Sequence, residues 1–66
     1  MKIQLNGQER DAEPGTTLLE LIAGLQLGEV RIAVERNFEI VASDKYGSTV
    51  LAEGDRVEVV TFVGGG

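Results

Sequence analysis

"TLLELIAGL", residues 17–25, is the stretch of this 66-residue chain that carries a helical period, and its place between alternating segments decides the fold. Leu18, Leu21, Ile22 and Leu25 fall at i, i+3, i+4 and i+7, the apolar stripe of an amphipathic helix. Thr17 followed by Glu20 matches a capping box, in which each residue satisfies a backbone donor the helix start would otherwise leave orphaned. Gly24 costs on the order of 1 kcal/mol against Ala inside a helix, so it points to close packing or to fraying, and Gly28 is the expected stop.

On the N-terminal side, "MKIQLNG" (1–7) alternates Ile3 and Leu5 against Lys2 and Gln4 and ends on Asn6-Gly7, a strong hairpin signal. The second arm, about residues 8–12, is polar and leads to Pro14-Gly15, a pair suited to the centre of a type II turn. On the C-terminal side, "RIAVE" (31–35) sets Ile32 and Val34 on one face and Arg31, Ala33 and Glu35 on the other. Asn37 permits a turn into the short arm "EIV" (39–41). Residues 42–48 are polar and turn-like and take no assignment, with Tyr46 expected as a lid over the core. "EGD" (53–55) reads as a tight turn before the last strand, "RVEVVTF" (56–62). That strand places Val57, Val59 and Thr61 on one face and Arg56, Glu58, Val60 and Phe62 on the other.

The order is strand, strand, helix, strand, short strand, strand, which is an α+β chain with one helix packed across a mixed sheet of four to five strands. The helix supplies the long crossover that lets the first and last strands pair in parallel at the sheet centre, the β-grasp (ubiquitin-like) arrangement. The expected division is a β-grasp domain over 1–63 and a flexible glycine tail over 64–66.

Eleven acidic against six basic residues give a net charge of −5, which opposes nucleic acid and anionic membranes and favours a basic protein partner. No apolar run approaches a membrane span, and the polar start lacks a signal peptide, so a cytoplasmic chain, monomeric when free, is expected. With no cysteine and no histidine, a disulfide framework, a Cys-based zinc site and a thiol nucleophile are excluded, and most acid/base mechanisms at neutral pH lose their usual groups. No metal site and no catalytic residue is expected.

The opening "MKIQLNG", the helix "TLLELI", the central "IAVERNFEIV", the run "LAEGDRVEVV" and the terminal "VGGG" together resemble, over essentially the whole chain, the ThiS family, the ubiquitin-like sulfur carriers of thiamine biosynthesis. The resemblance implies a protein that is not an enzyme but a co-substrate of partner enzymes. In that family the C-terminal glycine carboxylate is adenylated by a dedicated E1-like activating enzyme that uses ATP, and is converted to a thiocarboxylate. A sulfur donor such as a cysteine desulfurase supplies the sulfur, and thiazole synthase receives it. Carried over by position, Gly66 is the adenylation and thiocarboxylate site, with Gly65 and Gly64 as the threading tail. No bound cofactor is implied, only the covalent thiocarboxylate. The family often has proline after the "EIV" stretch, where this chain has Ala42-Ser43.

Glycines suit such a role because they carry no side chain and have wide backbone freedom, so they can thread a narrow channel to an active site. Val60 and Phe62 have two readings, burial beneath a loop or an exposed apolar patch that docks on the partners. Glu53 and Asp55 are expected as turn formers or solvated charge, or as charge that steers a basic partner. Two other functions stay open: the small subunit of molybdopterin synthase, and a β-grasp interaction module with an inert tail.

Overall fold

A computed structural model describes residues 1–62. The elements are β1 (Lys2–Leu5), β2 (Gln8–Asp11), α1 (Leu18–Gly24), β3 (Arg31–Arg36), β4 (Glu39–Ile40), a 3₁₀ helix (Ser43–Ser48) and β5 (Arg56–Phe62). The strands form a single five-stranded sheet in the order β2-β1-β5-β3-β4. β1 and β5 run parallel, and the other neighbours are antiparallel. This is the expected mixed sheet with one helix across it.

Asn6 and Gly7 both take positive φ, 50° and 82°, as a two-residue hairpin loop between right-twisted strands demands. Asn6 also acts beyond its own turn. Its amide donates to the Val57 carbonyl at 2.9 Å, and its side-chain Oδ1 accepts from the Val59 amide at 2.8 Å. The side chain thus satisfies the β5 donor that lies just past the end of β1.

The capping box forms as the spacing requires: the Glu20 amide donates to Thr17 Oγ1 at 3.1 Å and the Thr17 amide to a Glu20 carboxylate oxygen at 2.9 Å. The helix stops earlier than Gly28. Leu25 and Gln26 donate back three residues, to Ile22 and Ala23, which tightens the last turn, and Gln26 then takes φ +54°. A Cβ on Gly24 would meet nothing within 4 Å, so close packing does not explain that glycine, and its place as the last helical residue does. Gly28, at φ +75°, shapes the loop that follows.

Ile3 and Leu5 from β1, Leu18 and Leu21 from α1, Val34 from β3, and Val57 and Val59 from β5 form the core with Leu51 and Tyr46. Tyr46 is buried and does serve as a lid, hung on the 3₁₀ helix that the sequence left without assignment. Six polar and small residues around one apolar anchor show no period, so only the tertiary seat of Tyr46 defines that turn. Ala42 enters it at φ −67°, the angle a proline would impose, and the turn therefore forms without one.

The two acids of the 53–55 turn divide. Glu53 is exposed and accepts from the Lys2 amide at 2.9 Å, while Gly54 carries the turn at φ +83°. Asp55 is neither solvated nor free to steer a partner, since only 5% of it is accessible. One carboxylate oxygen accepts from Arg36 Nε and the Ala52 amide, each at 2.8 Å, and the other from Asn37 Nδ2 at 3.0 Å. Asn37 Oδ1 in turn accepts from the Arg56 amide at 2.9 Å. Burial alone would push the Asp55 carboxyl up, but the Ala52, Asn37 and Arg36 donors outweigh it and hold the group below its ordinary value. This clasp ties the β3–β4 turn to the start of β5.

Candidate functional site

β5 positions the candidate site. Its inward residues Val57 and Val59 are buried under the helix, so Arg56, Glu58, Val60 and Phe62 must point to the opposite face of the sheet. Val60 and Phe62 are 52% and 53% accessible, which settles their two readings in favour of exposure. In the antiparallel ladder with β3, Val60 lies opposite Ala33 and Phe62 opposite Arg31. β1 accompanies β5 only to Val57, with Asn6 reaching Val59. Beyond that point β3 flanks the strand, which runs on toward the glycines.

Gly64, Gly65 and Gly66 lie outside the described residues. The structure therefore brings Val60 and Phe62 together at the end of the strand that leads to the tail. Acidic and basic groups alternate on the rest of this face. Arg56 donates to Glu58 through Nε and Nη2 at 3.2 and 3.0 Å, and Glu35 stands directly opposite Glu58.

Leu19, Val30, Val50, Phe38 in the β3–β4 turn and Ile40 in β4 are exposed too, and Phe38 and Ile40, the most accessible, were missed by sequence reasoning. A signal was present, since "NF" occupies a place where a two-residue hairpin turn favours "NG". Among the described residues no cluster of three His, Cys, Asp or Glu could hold a metal ion. No helix among them is long and apolar enough to cross a membrane. What this face offers chemically is apolar area for a partner.

Docking can be checked directly. Phe62→Asp puts a charge where about half of an aromatic side chain is already wet, so thermal stability should change little. Affinity for a partner seated on this patch should fall by at least about tenfold, read by isothermal titration calorimetry, because truncating a central aromatic anchor typically costs 2 kcal/mol or more.

Residues 3–66 match the ThiS family. The chain is 40% identical over 65 residues to the sulfur carrier protein ThiS of Bacillus subtilis, covering 97% of this chain and 98% of that one. It is 52% identical over 66 residues to a thiazole synthase of Magnetococcus marinus, and there it spans only 20% of the relative's length. Its fold aligns with the crystal structure of a thiamine biosynthesis protein, ThiS, from Geobacter metallireducens at a TM-score of 0.84 and 28% identity, with both chains covered in full. Of the two pathways left open by the sequence, these matches name the thiamine one. The parallel β1–β5 centre, the capped helix and the family match agree: the chain belongs to the ThiS family.

Proposed function

We propose that Gly66 carries the reactive carboxylate of this chain. A partner activating enzyme transfers AMP from ATP to that carboxylate and releases pyrophosphate, which makes the glycine carbonyl a good acyl electrophile. Hydrosulfide, freed by a thiol reductant from the persulfide of a donor such as a cysteine desulfurase, then displaces AMP and leaves a thiocarboxylate. Thiazole synthase takes the sulfur from it. Gly64 and Gly65 provide the slender approach, since a side chain at either position would widen the segment that must enter a partner's active site. The carrier contributes no acid, base or metal to any of these steps. ATP-dependent chemistry of this kind assigns the chain to the cytoplasm.

The observation that carries the reading is the placement of Val60 and Phe62, exposed on the outer face of the last strand of a ThiS-family chain, a few residues before its glycines in sequence. An apolar patch adjoining a slender reactive end can hold a partner while the end reaches inside it. The match to one fifth of a thiazole synthase adds support, because in that relative a segment like this chain and the remainder of the synthase share one polypeptide.

The test is to incubate the chain with ATP, a sulfur source and an activating enzyme, then to map its fragments by mass spectrometry. Replacing oxygen by sulfur on the fragment that contains Gly66, in a form that reacts with a thiol alkylator, is the expected result. Mapping is essential, because oxidation of Met1 to its sulfoxide adds nearly the same mass. An unmodified Gly66 fragment, with an activating enzyme competent on another carrier, would show the tail to be inert.

A further inference from the structure

Asn6 and Asn37 are the chain's two asparagines, and each opens a two-residue hairpin turn at positive φ, 50° and 52°. Their surroundings differ. Both ends of the Asn37 amide are engaged, Nδ2 with Asp55 at 3.0 Å and Oδ1 with the Arg56 amide at 2.9 Å, and the residue that follows is Phe38. Asn6 accepts through Oδ1 from the Val59 amide at 2.8 Å, and the residue that follows is Gly7. Asn6 and Gly7 are both exposed, so water reaches the pair.

An asparagine before a glycine carries a latent reaction, because glycine has no Cβ to shield its backbone nitrogen. Attack of the Gly7 nitrogen on Asn6 Cγ forms a C–N bond. The Cγ–Nδ2 bond breaks, and ammonia leaves with the proton that the Gly7 nitrogen gives up. The product is a five-membered cyclic imide. Water then opens the ring at either carbonyl and leaves an aspartyl or an isoaspartyl linkage at position 6. At Asn37 the bulk of Phe38 shields the corresponding nitrogen.

We propose that Asn6-Gly7 is a self-modification site that the fold restrains through the Asn6–Val59 bond, and that its isoaspartyl product frees β5 from β1 beyond Val57. Ring closure turns Cγ onto the chain's own Gly7 nitrogen, whereas the bond to Val59 holds the side-chain carbonyl across on β5. Closure therefore waits on the opening of that tie. The two products then have opposite consequences. An aspartyl carboxylate still accepts from the Val59 amide, and its charge strengthens the bond. In the isoaspartyl product the former side-chain carbonyl becomes main chain and the turn gains a methylene, so the two-residue geometry and the acceptor are lost together. β1 pairs with β5 only as far as Val57, and among the described residues Asn6 alone carries the ladder on to Val59. Without that acceptor the Val59 amide loses its partner, in the strand that carries Val60 and Phe62.

Peptide mapping of the folded chain aged in mildly alkaline buffer, beside the same chain unfolded in urea, tests the site and the restraint together. Position 6 should convert in both, at least about fivefold more slowly in the folded chain, the scale of one hydrogen bond, with Asn37 unchanged. Hydrogen exchange read by NMR should show the isoaspartyl chain losing protection at the Val59 amide while the β3–β5 ladder keeps its own. Asn6→Asp, which supplies the other product directly, should keep both the Val59 protection and the melting temperature of the unmodified chain. Equal conversion rates in the two states overturn the restraint. Asn37 converting as fast as Asn6, or position 6 staying intact in urea, overturns the site. An isoaspartyl chain that still protects Val59, or Asn6→Asp failing to protect it, overturns the part played by the side-chain acceptor.

Discussion

A chain lacking Gly66 is expected to take up essentially no sulfur while melting at the same temperature as the full chain. The truncated chain still ends in a glycine carboxylate, but that carboxylate is drawn back by one residue, about 3.5 Å along an extended chain. A misplacement of about 1 Å already costs on the order of 100-fold in a positioned reaction, so the adenylation rate should fall by at least that factor. Folding has no stake in the loss, because Ile3, Leu18, Val34 and Val57, the fully buried side chains, all lie before residue 58. Gly65→Leu should give the same separation, with fold intact and loading lost, since its side chain broadens the tail one residue from its end. Sulfur uptake read by mass spectrometry, beside thermal melts followed by circular dichroism, checks both variants. Normal loading of either would remove the terminus from the chemistry.

Asp55→Ala is expected to have the largest effect on stability, about 2–4 kcal/mol. The substitution strands the Arg36 guanidinium, the Asn37 side-chain amide and the Ala52 amide in a partly buried site, and the desolvation of those donors is then uncompensated. A 66-residue domain has roughly 3–10 kcal/mol in all, so the melting temperature should fall by 10 °C or more, read by differential scanning calorimetry at pH 7. The effect carries a pH signature. The carboxyl is held below its ordinary value in the fold, so its stabilisation is fully present above the unfolded value near pH 4. It is lost as the pH falls through the lower, folded value. The gap between wild type and Asp55→Ala should therefore be constant down to about pH 5 and close under more acid conditions. A gap that stays open in strong acid would mean that shape rather than charge makes the clasp.

The opposite fates of Glu53 and Asp55 show where sequence reading reached its limit. Both are acids in one tight turn, and nothing in their local pattern distinguishes them. What separates them is Arg36 and Asn37, brought across from the β3–β4 turn by the ladder between β3 and β5. Phe62 and Phe38 show the same limit on the functional side. Alternation put Phe62 on the face opposite Val57 and Val59, but whether anything covered that face depended on which side the helix packed. Phe38 lay in a turn, where alternation assigns no face.

The sequence by itself determined the helix start, from Thr17 and Glu20, the hairpin at Asn6-Gly7, the division of the strands into faces, with Ile3 and Leu5, Ile32 and Val34, and Val57, Val59 and Thr61 each sharing one, and thereby the mixed sheet with one crossover helix. These follow from periodicities and caps that involve residues within a few positions of one another, so they are written locally. Only the tertiary structure decided that Asp55 is a buried clasp, that Asn6 extends the β1 ladder to Val59, and that Tyr46 turns an aperiodic segment into a 3₁₀ helix. It alone decided that Val60 and Phe62 share their exposed face with Phe38 and Ile40. Each of these joins groups far apart in the chain, and their energies come from desolvation and contact, which exist only once the strands have brought those groups together.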